Sequence, residues 1–215
     1  MKHVINIDNW ERRDNYRFFQ GFANSWYSLT TEVECSAAFD DTRRQHTSFF
    51  QKYLYAVLRA VNEVPALRYR LDKNGDVCFY DQVDVITPIA VSPNQFYTIR
   101  VPWQKDFVAF SREVQRLIDS IPENADPYAI EKEVIAVGDY DVILLSALPR
   151  LYFTSLTHTQ QRVGQANLYP LMNVGKAVGR GDCRMMPIAI AVDHQFVDGS
   201  HLSDFFEIIQ EELKR

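Results

Sequence analysis

Apolar residues recur at intervals of three and four positions in several parts of the chain, a spacing that puts them on one face of an α-helix. The longest such segment starts at Thr42 and stops before Pro65. A second helix is predicted over about residues 105–120 and a last one from about Ser200 onward. Near the start, Asp8 followed three positions later by Glu11 matches a variant of the capping box, which predicts a short helix there.

Other segments are rich in aromatic and β-branched residues, which predicts strands. The first covers residues 26–35. Two more, residues 67–71 and 77–82, flank the pair Asn74-Gly75, which is a strong signal for a β-hairpin. Further strands are predicted over residues 96–101, 141–145, 151–157, 168–174 and 184–193. Because strands and helices are interleaved irregularly, the pattern predicts an α/β (α+β) fold with one large sheet.

The composition is that of a folded globular protein. Of 215 residues, 47% are hydrophobic and 24% are charged, with only 8 Gly and 9 Pro, which excludes disordered and collagen-like classes. No repeat or linker divides the chain, so a single domain over residues 1–215 is expected. The net charge is -5 and the basic residues are spread along the chain, which argues against a nucleic-acid partner.

The cysteines and the first residues predict the cellular setting. Cys35, Cys78 and Cys183 are odd in number and their spacing fits neither a disulfide framework nor a zinc site, so reduced thiols are expected. Polar Asn6 and Asp8 interrupt any signal-peptide core at the start. No apolar run approaches the roughly 20 residues of a membrane-spanning helix. We therefore expect a cytoplasmic protein without a membrane partner.

One segment carries most of the candidate chemistry. His194 stands at the exit of an apolar strand, and Asp198 and Gly199 occupy the turn that follows. A rigid scaffold presents side chains well at such a place. From the residues alone, His194 is an ordinary histidine, a general base, or one ligand of a metal site with Asp193, Asp198 and His201. The metal alternative needs helical spacing, whereas Gly199 indicates a turn.

Four motifs resemble those of a known family. The run His194-Gln-Phe-Val-Asp-Gly199 resembles the active-site motif of chloramphenicol acetyltransferases and of the catalytic domains of dihydrolipoamide acyltransferases. The latter family is the weaker match because its lipoyl and linker segments are not found here. The other three motifs resemble chloramphenicol acetyltransferases in order and spacing: Asn9-Trp-Glu-Arg-Arg13, Tyr27-Ser-Leu-Thr30 and Leu145-Ser-Ala-Leu-Pro149. The resemblance implies a CoA-dependent acyltransferase fold, a two-layer sandwich in which helices pack on one large mixed β-sheet.

The resemblance also implies a reaction and a role for each matching residue. His194 would take the proton of an acceptor hydroxyl, which then attacks the thioester carbonyl of acetyl-CoA. Acetyl-CoA would be a co-substrate, with no permanently bound cofactor and no metal. Ser146 would donate its hydroxyl to the oxyanion. Asp198 would pair with Arg12 and so fix the loop that carries His194. Gly199 is expected to adopt a backbone conformation denied to residues with a Cβ.

Three positions depart from the family pattern outside the acceptor cleft. Asp193 stands where the family commonly has a second histidine, and a carboxylate there would raise the pKa of His194 unless it pointed to the other side of the strand, as adjacent strand residues do. Gln165 replaces a threonine that holds a water, so a role in water and CoA binding is expected of it. Arg150 replaces a tryptophan.

The acceptor cleft implied by the resemblance is aromatic. Phe19, Tyr27 and Phe96 match its positions, and His158 stands where an aliphatic residue is usual. Phe19 replaces a tyrosine and so lacks a hydroxyl. The expected acceptor is chloramphenicol or a similar small molecule, an activity associated with antibiotic resistance. A different hydroxyl acceptor, and a family member that binds ligand without catalysis, stay open as alternatives.

The aromatic fraction of 13% is large enough to line a pocket and an interface as well as a core. The resemblance implies a homotrimer with its active sites at the subunit interfaces. His194 of one chain would then face an acceptor pocket formed largely by the neighbouring chain. An isolated chain is accordingly expected to be inactive.

Overall fold

The computed structural model describes residues 1–123, 125–159 and 168–215. Within these ranges ten strands are formed: β1 (Lys2–Val4), β2 (Trp26–Glu34), β3 (Tyr69–Leu71), β4 (Val77–Tyr80), β5 (Asp84–Ser92), β6 (Gln95–Val101), β7 (Val142–Ala147), β8 (Leu171–Val174), β9 (Val178–Arg180) and β10 (Cys183–Asp193). The helices of the same ranges are α1 (Arg13–Gln20), α2 (Ser36–Arg44), α3 (Phe49–Glu63), α4 (Phe107–Asp119), α5 (Ala129–Val137) and α6 (Gly199–Leu213).

One large mixed sheet organises the chain, in the order β2-β10-β8-β7-β5-β6, with β9 paired to β10. The pairs β5–β7 and β7–β8 are parallel and the others are antiparallel. A separate small sheet has the order β1-β4-β3. Strand β10 pairs with β2 up to its last residue, where Asp193 lies opposite Trp26. The predicted mixed α/β fold with one large sheet is confirmed, and β10 delivers residue 194 from the interior of that sheet.

Helix α3 is the centre of the helical layer. All residues from Tyr53 to Leu58 are buried, which is the pattern of a helix enclosed on every side. It packs against α4 and α6. The buried carboxylate of Glu212 on α6 accepts hydrogen bonds from Lys52 (2.9 Å) and Arg59 (2.5 Å) of α3. These charge-assisted bonds tie the last helix to the centre of the fold.

Side chains of β7 alternate between the two faces of the large sheet, as the pleat requires. Ile143 and Leu145 join the main core cluster with α3 and α6. Val142 and Leu144 join a smaller cluster with α5 on the other face. Ser146, which follows Leu145, therefore lies on the face that α5 partly covers.

The helix expected from Thr42 onward is in fact two helices, so that predicted start was wrong. Helix α2 ends at Arg44 and α3 begins at Phe49. Ser48 caps α3, since its side chain accepts the N–H of Gln51 at 3.4 Å. The capping serine, Ser48, marks the true start of α3. Apolar periodicity alone extended the predicted helix too far toward the N-terminus.

The strand predicted over residues 151–157 is absent from the described chain. The N–H of Leu151 donates to the C=O of Leu148 at 3.0 Å, which forms a turn instead of a ladder. Phe153 is buried beside Gly175, where a Cβ would come within 2.8 Å of the Phe153 ring. The aromatic residues of this segment fill space in the fold without pairing a strand.

The helix start predicted at Asp8 was also wrong. Asn6 accepts the N–H of Asp8 at 3.0 Å and opens a short 3₁₀ turn, Ile7–Asn9. The Asp8 carboxylate instead accepts a hydrogen bond from Arg17 at 2.8 Å. Helix α1 starts only at Arg13, which leaves Arg12 at the helix boundary with its guanidinium directed at a more distant partner.

Candidate active site

His194 directly follows β10 and is held on several sides. Its backbone N–H donates to the backbone C=O of Ser25 at 2.9 Å. The imidazole stacks on Phe19, with ring centroids 4.1 Å apart and an interplanar angle of 13°, and lies 4.7 Å from the ring of Tyr27. The side chain is 35% exposed, but Nδ1 is buried. The ring is therefore clamped, and Nε2 is the nitrogen left to meet a small molecule.

The carboxylate of Asp198 is the charged centre behind His194. Arg12 donates to it through both terminal nitrogens, at 2.9 and 3.1 Å, so the predicted pair is present. Asn15 Nδ2 donates to the same group at 3.2 Å. The hydrogen bond from Arg12 holds the pKa of Asp198 below its usual range. An ionised carboxylate thus ties α1 to the first turn of α6.

Asp198 also faces His194, which the turn between them did not predict. Its Oδ1 lies 3.4 Å from Nδ1 of His194. The contact lacks hydrogen-bond geometry, and Nδ1 has no other hydrogen-bond partner among the described residues. A carboxylate at this side favours the proton on Nδ1, which leaves a lone pair on Nε2 in the neutral ring.

Gly199 is the first residue of α6, and its predicted special conformation was wrong. The glycines with positive φ in the described chain are Gly75, Gly138 and Gly181. A Cβ built on Gly199 meets no described atom within 4 Å. The turn is fixed instead by a hydrogen bond from the N–H of Asp198 to Nδ1 of His201, at 3.0 Å.

The side chains of the metal alternative do not converge. Nδ1 of His201 already accepts the N–H of Asp198, and burial lowers the pKa of His201. Asp193 is turned toward Gln195, where its Oδ1 accepts the backbone N–H and its Oδ2 accepts Nε2–H, both at 2.9 Å. Across residues 1–123, 125–159 and 168–215, no three His, Cys, Asp or Glu side chains are placed to hold a metal ion.

Ser146 lies near the end of β7 and is half-buried. It pairs with Asn173, which lies opposite Ala189 of β10, and Ala189 precedes His194 by five positions. Ser146 and His194 are thus separated by two strand spacings of about 4.8 Å across the sheet and by five residues of about 3.3 Å along it. These perpendicular lengths put their Cα atoms about 19 Å apart in one chain. A single chain therefore does not bring these two side chains to the same reacting atom.

The candidate residues of the acceptor pocket also lie far apart within one chain. Phe19 and Tyr27 contact His194 at the β2 edge of the sheet. Burial raises the pKa of Tyr27 to about 12, and its hydroxyl donates to the C=O of Val197 at 3.3 Å. Phe96 lies on β6, at the opposite edge, edge-to-face with Tyr128 at 5.4 Å. Phe96 lines a cavity of about 190 Å³.

Three further candidates lie after β7. His158 is half-buried, its Nε2 has no hydrogen-bond partner among the described residues, and burial lowers its pKa. Arg150 is exposed in the turn that follows Pro149. Gln165 lies outside the described residues.

The structure adds support residues that the motifs did not indicate. Ser25 and Asn15 contact the His194 loop from positions more than 160 residues away in the chain. Phe196 stacks on Tyr16 with centroids 6.1 Å apart and contacts Trp10 at 6.2 Å. The only sequence signal for this anchor was the apolar pair Phe196-Val197 between polar Gln195 and Asp198. The partners themselves depend on tertiary contact.

The family of the chain is decided by a comparison with known protein families. Residues 2–210 match the family model described as chloramphenicol acetyltransferase. The chain belongs to the chloramphenicol acetyltransferase family. It is an acyltransferase. Curated family members from Staphylococcus aureus and Proteus mirabilis are each 24% identical over 210 residues, which cover 96% and 97% of this chain and 93% of each relative.

Solved structures agree with this family. One named chloramphenicol acetyltransferase is 49% identical, with a TM-score of 0.96, and the match covers 100% of both chains. A dihydrolipoamide acetyltransferase from Azotobacter vinelandii has a TM-score of 0.64 at 15% identity, over 94% of this chain and 86% of that one. This second likeness shows the shared fold of CoA-dependent acyltransferases. None of the helices described for this family member is long and apolar enough to cross a membrane.

Proposed function

We propose that this chloramphenicol acetyltransferase family member moves the acetyl group of acetyl-CoA to a hydroxyl of chloramphenicol or a similar small molecule. The observation that carries the proposal is the setting of His194. Its ring is clamped by Phe19 and Tyr27, and Nδ1 is buried against Asp198. A histidine held in this way can act as a general base through Nε2 at neutral pH.

In the proposed reaction, Nε2 of His194 takes the proton of the acceptor hydroxyl as its oxygen attacks the thioester carbonyl. The resulting imidazolium is stabilised by Asp198, 3.4 Å from Nδ1. The tetrahedral intermediate collapses, its carbon–sulfur bond breaks, and the CoA thiolate takes the proton back from Nε2. The acetyl ester and CoA thiol leave without an acyl-enzyme. Such general-base assistance contributes about 10²–10⁴-fold to the rate.

Ser146 is proposed to donate its hydroxyl to the oxyanion of that intermediate. Because Ser146 and His194 are about 19 Å apart in one chain, the serine must come from a second copy. The same holds for Phe96, which lies at the sheet edge opposite Phe19 and Tyr27. This division supports active sites that form between subunits. The assembly is proposed to be a homotrimer, with residues 1–215 of each chain acting as one domain.

The acceptor pocket is proposed to combine Phe19 and Tyr27 of one subunit with Phe96 and His158 of its neighbour. The apolar rings suit the aromatic part of chloramphenicol. Nε2 of His158 has no hydrogen-bond partner among the residues that the structure describes, which favours a second candidate, a different acceptor with a polar group at this place. Gln165 is proposed to assist water and CoA binding.

The test is an acceptor panel with acetyl-CoA. CoA thiol release is measured with chloramphenicol, with other hydroxyl compounds and with dihydrolipoamide, and the acetylated product is identified by mass spectrometry. We expect chloramphenicol to be acetylated. Release with another hydroxyl compound alone would support the second candidate, and release with dihydrolipoamide alone would contradict both. No release with any acceptor, despite intact ligand binding, would indicate a non-catalytic member of the family.

Subunit mixing tests the shared site. Chains with His194→Ala and chains with Ser146→Ala are each expected to be nearly inactive. If the site is shared, refolding the two together restores activity, because some interfaces then combine His194 of one chain with Ser146 of the other. Activity that stays at the level of the separate variants would contradict a shared site.

The proposed activity also predicts a cellular role. Acetyl-CoA and reduced thiols are both cytoplasmic, so the enzyme is proposed to act there. Its expression is expected to raise the chloramphenicol concentration that inhibits bacterial growth. A His194→Ala strain is the control, and an equal increase in that strain would contradict a role of catalysis in resistance.

A further inference from the structure

A buried acid lies immediately before the candidate base. Asp193 is only 6% exposed, and no cationic side chain donates a hydrogen bond to its carboxylate within the described ranges. Burying a carboxylate is unfavourable unless hydrogen bonds compensate it, and burial raises the pKa of Asp193. The compensating bonds come from the side chain of Ser25 and from Gln195, through its backbone N–H and its side-chain amide.

These bonds fold the chain around His194. The C=O of Asp193 accepts the N–H groups of Phe196 (3.1 Å) and Val197 (3.0 Å), while the Asp193 carboxylate accepts the N–H of Gln195. Residues 193–197 therefore form a compact turn in which the side chain and the backbone of Asp193 both accept. His194 is the one residue of this turn whose side chain is directed to the candidate site.

Ser25 joins the turn to β2. Its C=O accepts the N–H of His194 at 2.9 Å, and its hydroxyl accepts Nε2–H of Gln195 at 3.1 Å. The backbone of His194 is thus held on one side by Ser25, and the residue after it is held by Asp193. Little freedom is left for the Cα of His194 to shift or rotate.

We infer that Asp193 is a positioning residue for His194, acting through a triad with Gln195 and Ser25. The inference rests on the proposed role of His194 as base. Proton transfer and attack need reacting atoms held within a fraction of an ångström, and a misplacement of 1 Å costs as much as about 100-fold in rate. In this chain, hydrogen bonds of the carboxylate hold the turn.

The carboxylate geometry predicts which substitution is tolerated. Asn at position 193 can still accept the N–H of Gln195 through its oxygen. Its Nδ2 can donate to Oε1 of Gln195 after an amide flip, since that oxygen has no partner among the described residues. Ala at the same position removes both acceptors. We therefore expect Asp193→Ala to lower kcat by up to about 100-fold and Asp193→Asn to restore most of it.

The matched control is Asp72, in the turn between β3 and β4. It is 7% exposed, and its carboxylate accepts the N–H groups of Asn74 (2.8 Å) and Asp76 (3.0 Å) and, unlike Asp193, a hydrogen bond from Lys2 (2.9 Å). Asp72→Ala removes a turn aspartate of similar burial that does not contact the His194 loop. We expect it to lower Tm as Asp193→Ala does, and to leave kcat near the wild-type value.

The experiment measures kcat, KM for acetyl-CoA and Tm for these variants, together with the NMR spectrum of protein with labelled histidine rings. The chain has five histidines, and stacking on Phe19 at 4.1 Å shifts the His194 ring resonance by ring current. We expect Asp193→Ala to move this resonance toward its unfolded position and to lower kcat with KM little changed. Asp193→Asn should keep the His194 resonance and kcat close to their wild-type values.

A kcat loss in Asp193→Ala no larger than in Asp72→Ala, or an unmoved His194 resonance, would overturn the inference. If Asp193→Ala does not fold, Gln195→Ala removes the side-chain amide bonds to Asp193 and to Ser25, and an unchanged kcat and an unmoved His194 resonance in that variant would also overturn the inference. Wild-type protein that transfers no acetyl group would refute the proposed function instead. The NMR comparison would still decide the positioning role.

Discussion

The pair between Arg12 and Asp198 links the first helix to the last, so its removal is expected to affect both stability and catalysis. Asp198→Ala removes the acceptor of two hydrogen bonds from Arg12, at 2.9 and 3.1 Å, and of one from Asn15, at 3.2 Å. It also removes the negative charge at the N-terminus of α6, which favours the helix. Arg12 is left partly buried without its counter-charge.

The size of the effect follows from the burial of the two partners. Removing one partner of a buried ion pair costs about 3–5 kcal/mol. Here the side chains are 15% exposed for Arg12 and 30% exposed for Asp198, so solvent compensates part of the loss. We expect a loss of about 2–3 kcal/mol, which for a chain of this length lowers Tm by about 4–12 °C.

The assay is thermal unfolding at a fixed protein concentration, because the proposed assembly would make Tm depend on concentration. The value of kcat is measured for the same variants. The control is Asp84→Ala, which removes an ion pair of similar burial with Arg100 at the β5–β6 edge. Both variants should have a lower Tm than wild type. Only Asp198→Ala should also have a lower kcat, because it removes the carboxylate beside Nδ1 of His194. A Tm within about 2 °C of wild type, or equal kcat losses in both variants, would refute the reasoning.

The pH dependence of the same pair has a definite sign. The pKa of Asp198 is lowered in the folded state, so the pair stabilises fully above the unfolded value of about 3.9. This stability is lost as the pH falls from there through the lowered folded value. The Tm difference between wild type and Asp198→Asn is therefore expected to be constant near neutral pH and to shrink below about pH 4. A difference that grows on acidification would contradict this assignment.

Four further predictions use other parts of the structure. Ser146→Ala is expected to lower kcat by about 10²–10³-fold with Tm unchanged; a kcat near wild type would exclude it as oxyanion donor. Phe19→Ala should lower kcat more than Phe18→Ala, whose ring is exposed and does not stack on His194, and equal effects would contradict the clamp. Glu212→Ala should cost about 3–5 kcal/mol in urea unfolding, because it leaves Lys52 and Arg59 without their buried partner; a loss below about 1 kcal/mol would contradict that. A thiol reagent should modify Cys183 in the folded protein, whereas Cys35 and Cys78 are buried with pKa values raised to about 12 and 11 and should react only after unfolding.

The elements with strong periodic or turn signals were predictable from the sequence. Helix α6, strand β10 and the hairpin around Asn74-Gly75 fall where the patterns put them, and Gly75 has the positive φ that such a turn requires. Strand β5 was missed because Pro88 lies in its middle. The structure tolerates Pro88 because β7 pairs only with residues 84–86, which leaves that side of β5 without a ladder partner.

The site was only partly predictable. Two short motifs located His194 and the pair between Asp198 and Arg12, because these residues lie at fixed positions within them. The contacts of Ser25 and Asn15 depend on how α1 and β2 pack against β10, which no local pattern encodes. The expected conformation of Gly199 was wrong because a glycine that starts a helix needs no special φ. The distance between Ser146 and His194 became apparent only from the strand register.

In the proposed reaction, His194 is the base for acetyl transfer from acetyl-CoA to an acceptor hydroxyl. The most direct measurement is kcat/KM for chloramphenicol acetylation by wild type and by His194→Ala, with His3→Ala as a histidine control, since His3 is exposed on β1 and contacts Asp81 rather than the His194 loop. We predict that His194→Ala lowers kcat/KM by about 10²–10⁴-fold while remaining folded, and that His3→Ala leaves kcat/KM near the wild-type value. Wild-type activity retained in folded His194→Ala would contradict the account.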